Sequence, residues 1–142
     1  MPVKLGIIGY GVIGRLHMEA ACKSPLVDVV AVADLIEDRG REAAGKYGIK
    51  KVYREGGDLI RDRDVEAVVL AFPAATRTKY ALKALARGKH VLTEKPVAMN
   101  AGEIRRMIKA RGDRVVACCS SRYQFLPSTD AARQFVASGA LG

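Results

Sequence analysis

The sequence predicts an α/β fold, a doubly wound parallel sheet with helices on both faces. Three observations carry this. Short apolar runs alternate with helical patterns along the whole chain. A glycine-rich turn, Gly9-Tyr10-Gly11-Val12-Ile13-Gly14, follows the first apolar run and opens a helical stretch. The second apolar run ends on an acid, Asp34, 20 residues beyond Gly14.

Val3 to Ile8 reads as the first strand and Val12 to Lys23 as the first helix. Strand two spans Val27 to Ala33. The helix after it, Glu37 to Tyr47, stops at Gly48, a residue suited to a left-handed cap. Lys51 to Tyr53 is a short strand and Gly57 to Arg61 a short helix. Val65 to Phe72 is almost continuously apolar, as a strand buried on both faces must be. Pro73 ends it. A helix over Thr76 to Arg87 stops at Gly88, and His90 to Thr93 forms the next strand. Asn100, with Glu103 three residues on, caps a helix over Ala101 to Ala110. Val115 to Cys119 is the last strand, and Ser128 caps a final helix over Thr129 to Ala137. This alternation implies right-handed crossovers, with ligands at the carboxyl ends of the strands.

Gly9-x-Gly11-x-x-Gly14 between strand and helix, with Asp34 in register, forms a dinucleotide-binding fingerprint. Gly9 allows the tight turn, Gly11 leaves room for the pyrophosphate, and Gly14 lets the helix pack closely. The helix start at Val12 and Ile13 offers free N–H groups and the positive dipole end to phosphates. Asp34 would accept hydrogen bonds from the adenosine ribose and repel a 2′-phosphate, favouring NAD over NADP. Arg39 and Arg41 would soften that preference. An ordinary turn, with Asp34 as a helix cap, leaves the joint spacing unexplained. Ala71, Phe72 and Pro73 end the fourth strand at the same edge and complete the expected cofactor wall.

At 142 residues the chain is long enough for a real core, and 49% hydrophobic with 27% charged residues is a globular balance. No apolar run approaches the roughly 20 residues of a membrane span. The N-terminus enters the first strand directly, so no signal peptide is expected. Cys22, Cys118 and Cys119 have no metal-ligand or redox spacing, so no metal is expected and buried free thiols in a reducing cytoplasm are. The net charge of +9 raises nucleic acid as a partner. The charges are scattered, however, with few aromatics between them, and an anionic cofactor or a missing acidic partner explains them as well.

GYGVIG, Asp34, AFPAATR, GKHVLTEKP, SRYQFLPS and the tail GALG together resemble the N-terminal Rossmann domain of the glucose-fructose oxidoreductase / inositol dehydrogenase / rhizopine catabolism family. The resemblance covers essentially residues 1–142. It implies an NAD(P)-dependent dehydrogenase moving a hydride to or from a hydroxyl-bearing carbon of a sugar, cyclitol or related polyol. Lys95 matches the family lysine that contacts the substrate hydroxyl and assists proton transfer. Glu94 matches a glutamate at the nicotinamide end, and Tyr123, after Arg122, lies where family members close over that region. Without the family, Glu94 and Lys95 read as a surface ion pair. Ala74 and Arg77 stand where the family carries asparagine and histidine. Two readings of Arg77 stay open: a cation for a phosphate or acidic substrate, or a solvated residue early in a helix.

The family's second domain, with its catalytic histidine, would lie outside this sequence. His17 and His90 read as structural or surface residues. By itself the chain is expected to bind the dinucleotide without efficient turnover. The alternative is a non-catalytic NAD(H)-sensing or interaction module that needs a partner. A homo-oligomer is compatible with either.

Overall fold

The computed structural model describes residues 1–120 and 122–141. Ser121, which opens the S-R-Y-Q-F-L-P-S segment, and the final Gly142 lie outside the described residues. The elements are β1 (Val3–Ile8), α1 (Val12–Cys22), β2 (Val27–Ala33), α2 (Glu37–Tyr47), β3 (Lys51–Tyr53), α3 (Gly56–Arg61) and β4 (Ala67–Leu70). Then follow α4 (Ala74–Ala86), β5 (His90–Glu94), α5 (Ala101–Ala110), β6 (Val116–Cys119), a 3₁₀ turn (Arg122–Phe125) and α6 (Pro127–Ala137).

The six strands are ordered β3-β2-β1-β4-β5-β6, and every neighbouring pair is parallel. Alternate side chains of the strands feed two cores, one on each face. Leu5, Ile7, Val32 and Val69 pack with Met18 of α1 and Ala43 of α2. Ile8, Ala33, Val68 and Val91 pack with Leu59 of α3, Ala81 and Leu85 of α4, and Met107 of α5. The order turns at β1 and β4, the switch point where such sheets open a ligand crevice at the carboxyl ends.

Four expectations are corrected. The fourth strand is shorter than the apolar run, because Val65 is buried ahead of it and Ala71 to Pro73 turn away into the crevice. The helix after it begins at Ala74, directly behind Pro73, whose φ of −55° suits a helix start. The last helix begins at Pro127 with Leu126 before it, so Ser128 lies inside the first turn and is not the cap. Cys22 is exposed at the end of α1, while Cys118 and Cys119 are half-buried. Asn100 caps α5 as expected, its Oδ1 accepting from the Glu103 N–H at 3.0 Å, but the box is not closed: the Glu103 carboxylate accepts from the Met99 N–H, one residue earlier than a capping box requires.

Candidate functional site

The turn from β1 into α1 is built on two glycines that admit no side chain. Gly9 has φ +92°, and a Cβ there would stand 2.6 Å from the Ala71 carbonyl oxygen. A Cβ on Gly14 would stand 1.9 Å from the Gly9 carbonyl oxygen. Gly11 differs: a Cβ on it would meet only the tip of Arg39, at 4.0 Å, so the space over the helix start is open. No side chain caps α1, and its first turn holds no acid, so its free N–H groups and dipole face that space. The residues therefore fit a dinucleotide pyrophosphate. Val12 and Ile13 are exposed on the same turn.

A cleft of about 470 Å³ lies at this edge, between Gly9, Gly11, Asp34 and Arg39 on one side and Ala71, Phe72 and Pro73 on the other. Asp34 joins the two halves of the turn: Oδ2 accepts from the Tyr10 N–H at 2.7 Å and Oδ1 from the Ile36 N–H at 2.8 Å. Each oxygen keeps a second lone pair for a ribose hydroxyl. The side chain that caps a helix in the alternative reading is absent, since α2 begins after Ile36 without a side-chain cap. Arg41 pairs with Glu37 on its own helix. Arg39 and Arg54, both lining the cleft, form no ion pair among the described residues. Sequence reasoning missed Arg54, which follows β3 and reaches the site only because β3 is the neighbour of β2.

Glu94 and Lys95 stand at the end of β5, outside the walls of this cleft. They do not form the surface ion pair. Glu94 instead meets His17 of α1, Oε1 to Nε2 at 2.9 Å, with both side chains largely buried. Its Oε2 accepts from the Lys95 N–H at 3.1 Å. Lys95 is exposed, and its ammonium has no hydrogen-bond partner among the described residues. His17, read as a structural or surface residue, reaches from α1 to the end of β5 and ties Glu94 there. The signal was helical spacing: His17 and the buried Met18 lie three and four residues beyond the sheet-facing Gly14. His90 is structural as expected, its Nδ1 accepting from the Val115 N–H at 3.0 Å.

Arg77 satisfies neither of its two sequence readings. It is 3% exposed and points beneath the Glu94-Lys95-Pro96 segment. One guanidinium nitrogen donates to the carbonyls of Glu94 and of Pro96 (2.8 Å) and to Thr93 Oγ1 (3.3 Å), and the other to the Lys95 carbonyl at 3.4 Å. Burial pushes its basicity below the ordinary value, against the opposing pull of Glu94 and Cys118. The planar, multi-donor fork gathers three consecutive carbonyls, which a lysine head cannot match. The far end of the loop is tied by Glu103, whose Oε2 accepts from Thr78 Oγ1 (2.9 Å) and the Met99 N–H (3.0 Å). Those two bonds hold the Glu103 carboxyl below its usual range.

The model for "Oxidoreductase family, NAD-binding Rossmann fold" (Gfo/Idh/MocA) matches residues 3–120. The chain is 41% identical over 113 residues to an inositol 2-dehydrogenase of Klebsiella pneumoniae, an alignment covering 78% of this chain and 33% of that protein. Scyllo-inositol dehydrogenase from Lactobacillus casei, solved with NAD(H) and scyllo-inositol, superposes with a TM-score of 0.91 at 24% identity, over 100% of this chain and 43% of that one. KijD10, a 3-ketoreductase from Actinomadura kijaniata solved with TDP-benzene and NADP, superposes at 0.87 with 26% identity, over 98% and 44%. The chain thus spans between 33% and 44% of the length of these relatives. With its glycine turn, its acid after β2 and its Glu94-Lys95-Pro96 loop in place, the chain belongs to the Gfo/Idh/MocA oxidoreductase family and forms that family's NAD-binding Rossmann fold.

Proposed function

We propose that the chain is the cofactor-binding part of an NAD-dependent dehydrogenase acting on a polyol of the inositol class. The observation that carries this is the shared edge. An open helix start over Gly11, Asp34 beside it and the exposed Lys95 all stand at the carboxyl ends of one sheet. The bound nicotinamide supplies the hydride acceptor. Gly11 and the α1 start hold the pyrophosphate, and Asp34 takes the ribose hydroxyls and disfavours a 2′-phosphate. Lys95 places a cation beside the substrate hydroxyl, where it stabilises developing alkoxide charge. Arg77 fixes the backbone that carries Lys95. Tyr123, 60% exposed on the 3₁₀ turn, stands to close over the nicotinamide region. A histidine outside this sequence completes proton transfer, and a cytoplasmic setting is part of the reading.

No residue of α6 is buried, and Phe125, Phe135 and Val136 are exposed with it. Cover by the remainder of a longer protein accounts for that apolar surface. No helix among the described residues is long and apolar enough to cross a membrane.

The test has two parts. Calorimetric titration of the chain with NADH and NADPH should show NADH binding more tightly; equal or absent binding overturns the cofactor assignment. In a protein carrying this chain with the rest of the family architecture, Lys95→Ala should abolish NAD-dependent oxidation of myo-inositol. Full activity in that variant would remove Lys95 from the chemistry.

A further inference from the structure

The face of the sheet opposite Arg77 gathers a second set of groups at the same edge. Glu94 and Cys119 are register partners across β5 and β6, so their side chains share the face that α1 covers. His17 comes down from α1 onto that face, its Nε2 2.9 Å from Glu94 Oε1. One ligand atom from each of His17, Glu94 and Cys119 lies within 4.8 Å of the other two. All three side chains are half-buried.

An imidazole nitrogen, a carboxylate oxygen and a thiol sulfur are the donors that zinc takes, at about 2.0 to 2.3 Å each. Tetrahedral coordination at those lengths sets donor atoms roughly 3.3 to 3.6 Å apart. The widest separation here needs to close by about 1 Å, within the reach of side-chain rotation. The donors come from one helix and two adjacent strands, so the backbone frame is already fixed. The sequence gives no sign of it, because the positions are 77 and 25 residues apart.

We propose that His17, Glu94 and Cys119 bind a thiophilic divalent cation of the zinc class, with a fourth position open to water. The cation replaces the direct His17–Glu94 bond. The Cys119 thiol releases its proton to water as the metal–sulfur bond forms, with no change of oxidation state. A consequence rests on the proposed function: since Glu94 lies at the nicotinamide end, cation and cofactor exclude each other, and zinc inhibits the enzyme.

The test is a Co²⁺ titration of the reduced chain, read by the thiolate-to-cobalt charge-transfer band in the near ultraviolet. One equivalent should develop the band and Zn²⁺ should bleach it. Cys119→Ser should abolish it, Cys118→Ser should keep it, and His17→Gln should weaken cobalt binding at least about tenfold. Circular dichroism verifies that each variant is folded. If Cys119→Ser does not fold, His17→Gln decides, and unchanged cobalt affinity there overturns the site. So does a missing band in the parent chain, or a band that survives Cys119→Ser in folded protein. NADH fluorescence titration separates the two readings. A chain that binds NADH without a cobalt band loses the metal site alone; one that shows the band without binding NADH keeps the site and loses the cofactor assignment.

Discussion

The two ends of the sheet differ in what their polar groups have left to give. The amino end carries the larger cleft, about 590 Å³, and more charge, with Arg61, Arg63, Arg87, Lys89 and Arg114 around it. Most of that charge is satisfied internally. Arg61 pairs with Asp58, and Arg114 with Asp113. Lys89, nearly buried, donates to the carbonyls of Asp62 (2.7 Å) and Val65 (2.5 Å), and burial lowers its basicity. The carboxyl end has a smaller cleft but free donors: the α1 start, Arg39, Arg54 and the Lys95 ammonium. If binding capacity follows unsatisfied groups in a fixed frame, the carboxyl end binds the cofactor even though its cleft is the smaller of the two.

The comparison can be broken most severely at Gly14. Gly14→Ala places a methyl against the Gly9 carbonyl, and α1 must move off the sheet. We expect a loss of about 3 kcal/mol or more in urea unfolding and no measurable NADH binding. Unaltered stability would mean that the turn is not the rigid part of the site.

Arg77→Met comes next. It leaves the part-buried carbonyls of Glu94, Lys95 and Pro96 without their donor and should cost about 1 to 3 kcal/mol. Arg77→Lys should recover less than half, because one ammonium cannot span the three carbonyls. Full recovery by lysine would reduce Arg77 to a buried charge without a positioning role.

Asp34→Ser should weaken NADH binding by roughly tenfold, about 1.4 kcal/mol, and narrow the gap to NADPH. The direct check is calorimetry with both cofactors. Unchanged affinity for both would remove Asp34 from the ribose site.

Acid should act at two buried or tied carboxyls. Burial opposes ionisation of Asp62, yet Lys51, the Asp64 N–H and the Tyr53 hydroxyl outweigh it, so its folded pKa lies below the usual value. Glu103 is likewise lowered. A lowered folded value contributes stability that is complete above the unfolded carboxylate range, about pH 4, and is lost as pH falls through the folded value. Thermal melts should therefore be flat from pH 7 to about 5 and fall below about 4. Asp62→Asn should shrink that acid-dependent loss.

The smallest effect belongs to the amino end. Arg63→Glu with Arg87→Glu should leave NADH affinity within about a factor of two, since neither residue stands near the cofactor edge. A large loss there would overturn the contrast between the two ends.

Local signals decided the parts of the molecule that short-range chemistry governs. Local pattern placed all six strands of the sheet within two residues of their ends. Gly48 stops α2 with φ +70°, and Asn100 caps α5, because a left-handed turn and a free N–H each demand a particular residue type. The glycine turn and Asp34 were legible for the same reason: one strand, one turn and one crossover fix their geometry. What the sequence could not supply was the pairing of groups far apart in the chain. Arg77 is an ordinary helix residue until α4 is laid against β5, where three carbonyls wait for its guanidinium. His17 becomes a neighbour of Glu94 and Cys119 only when α1 covers the β5–β6 register. Those contacts depend on strand order and packing, which are long-range properties. The sequence determined the elements and the glycine turn, and the tertiary structure alone decided which side chains hold the Glu94-Lys95-Pro96 loop.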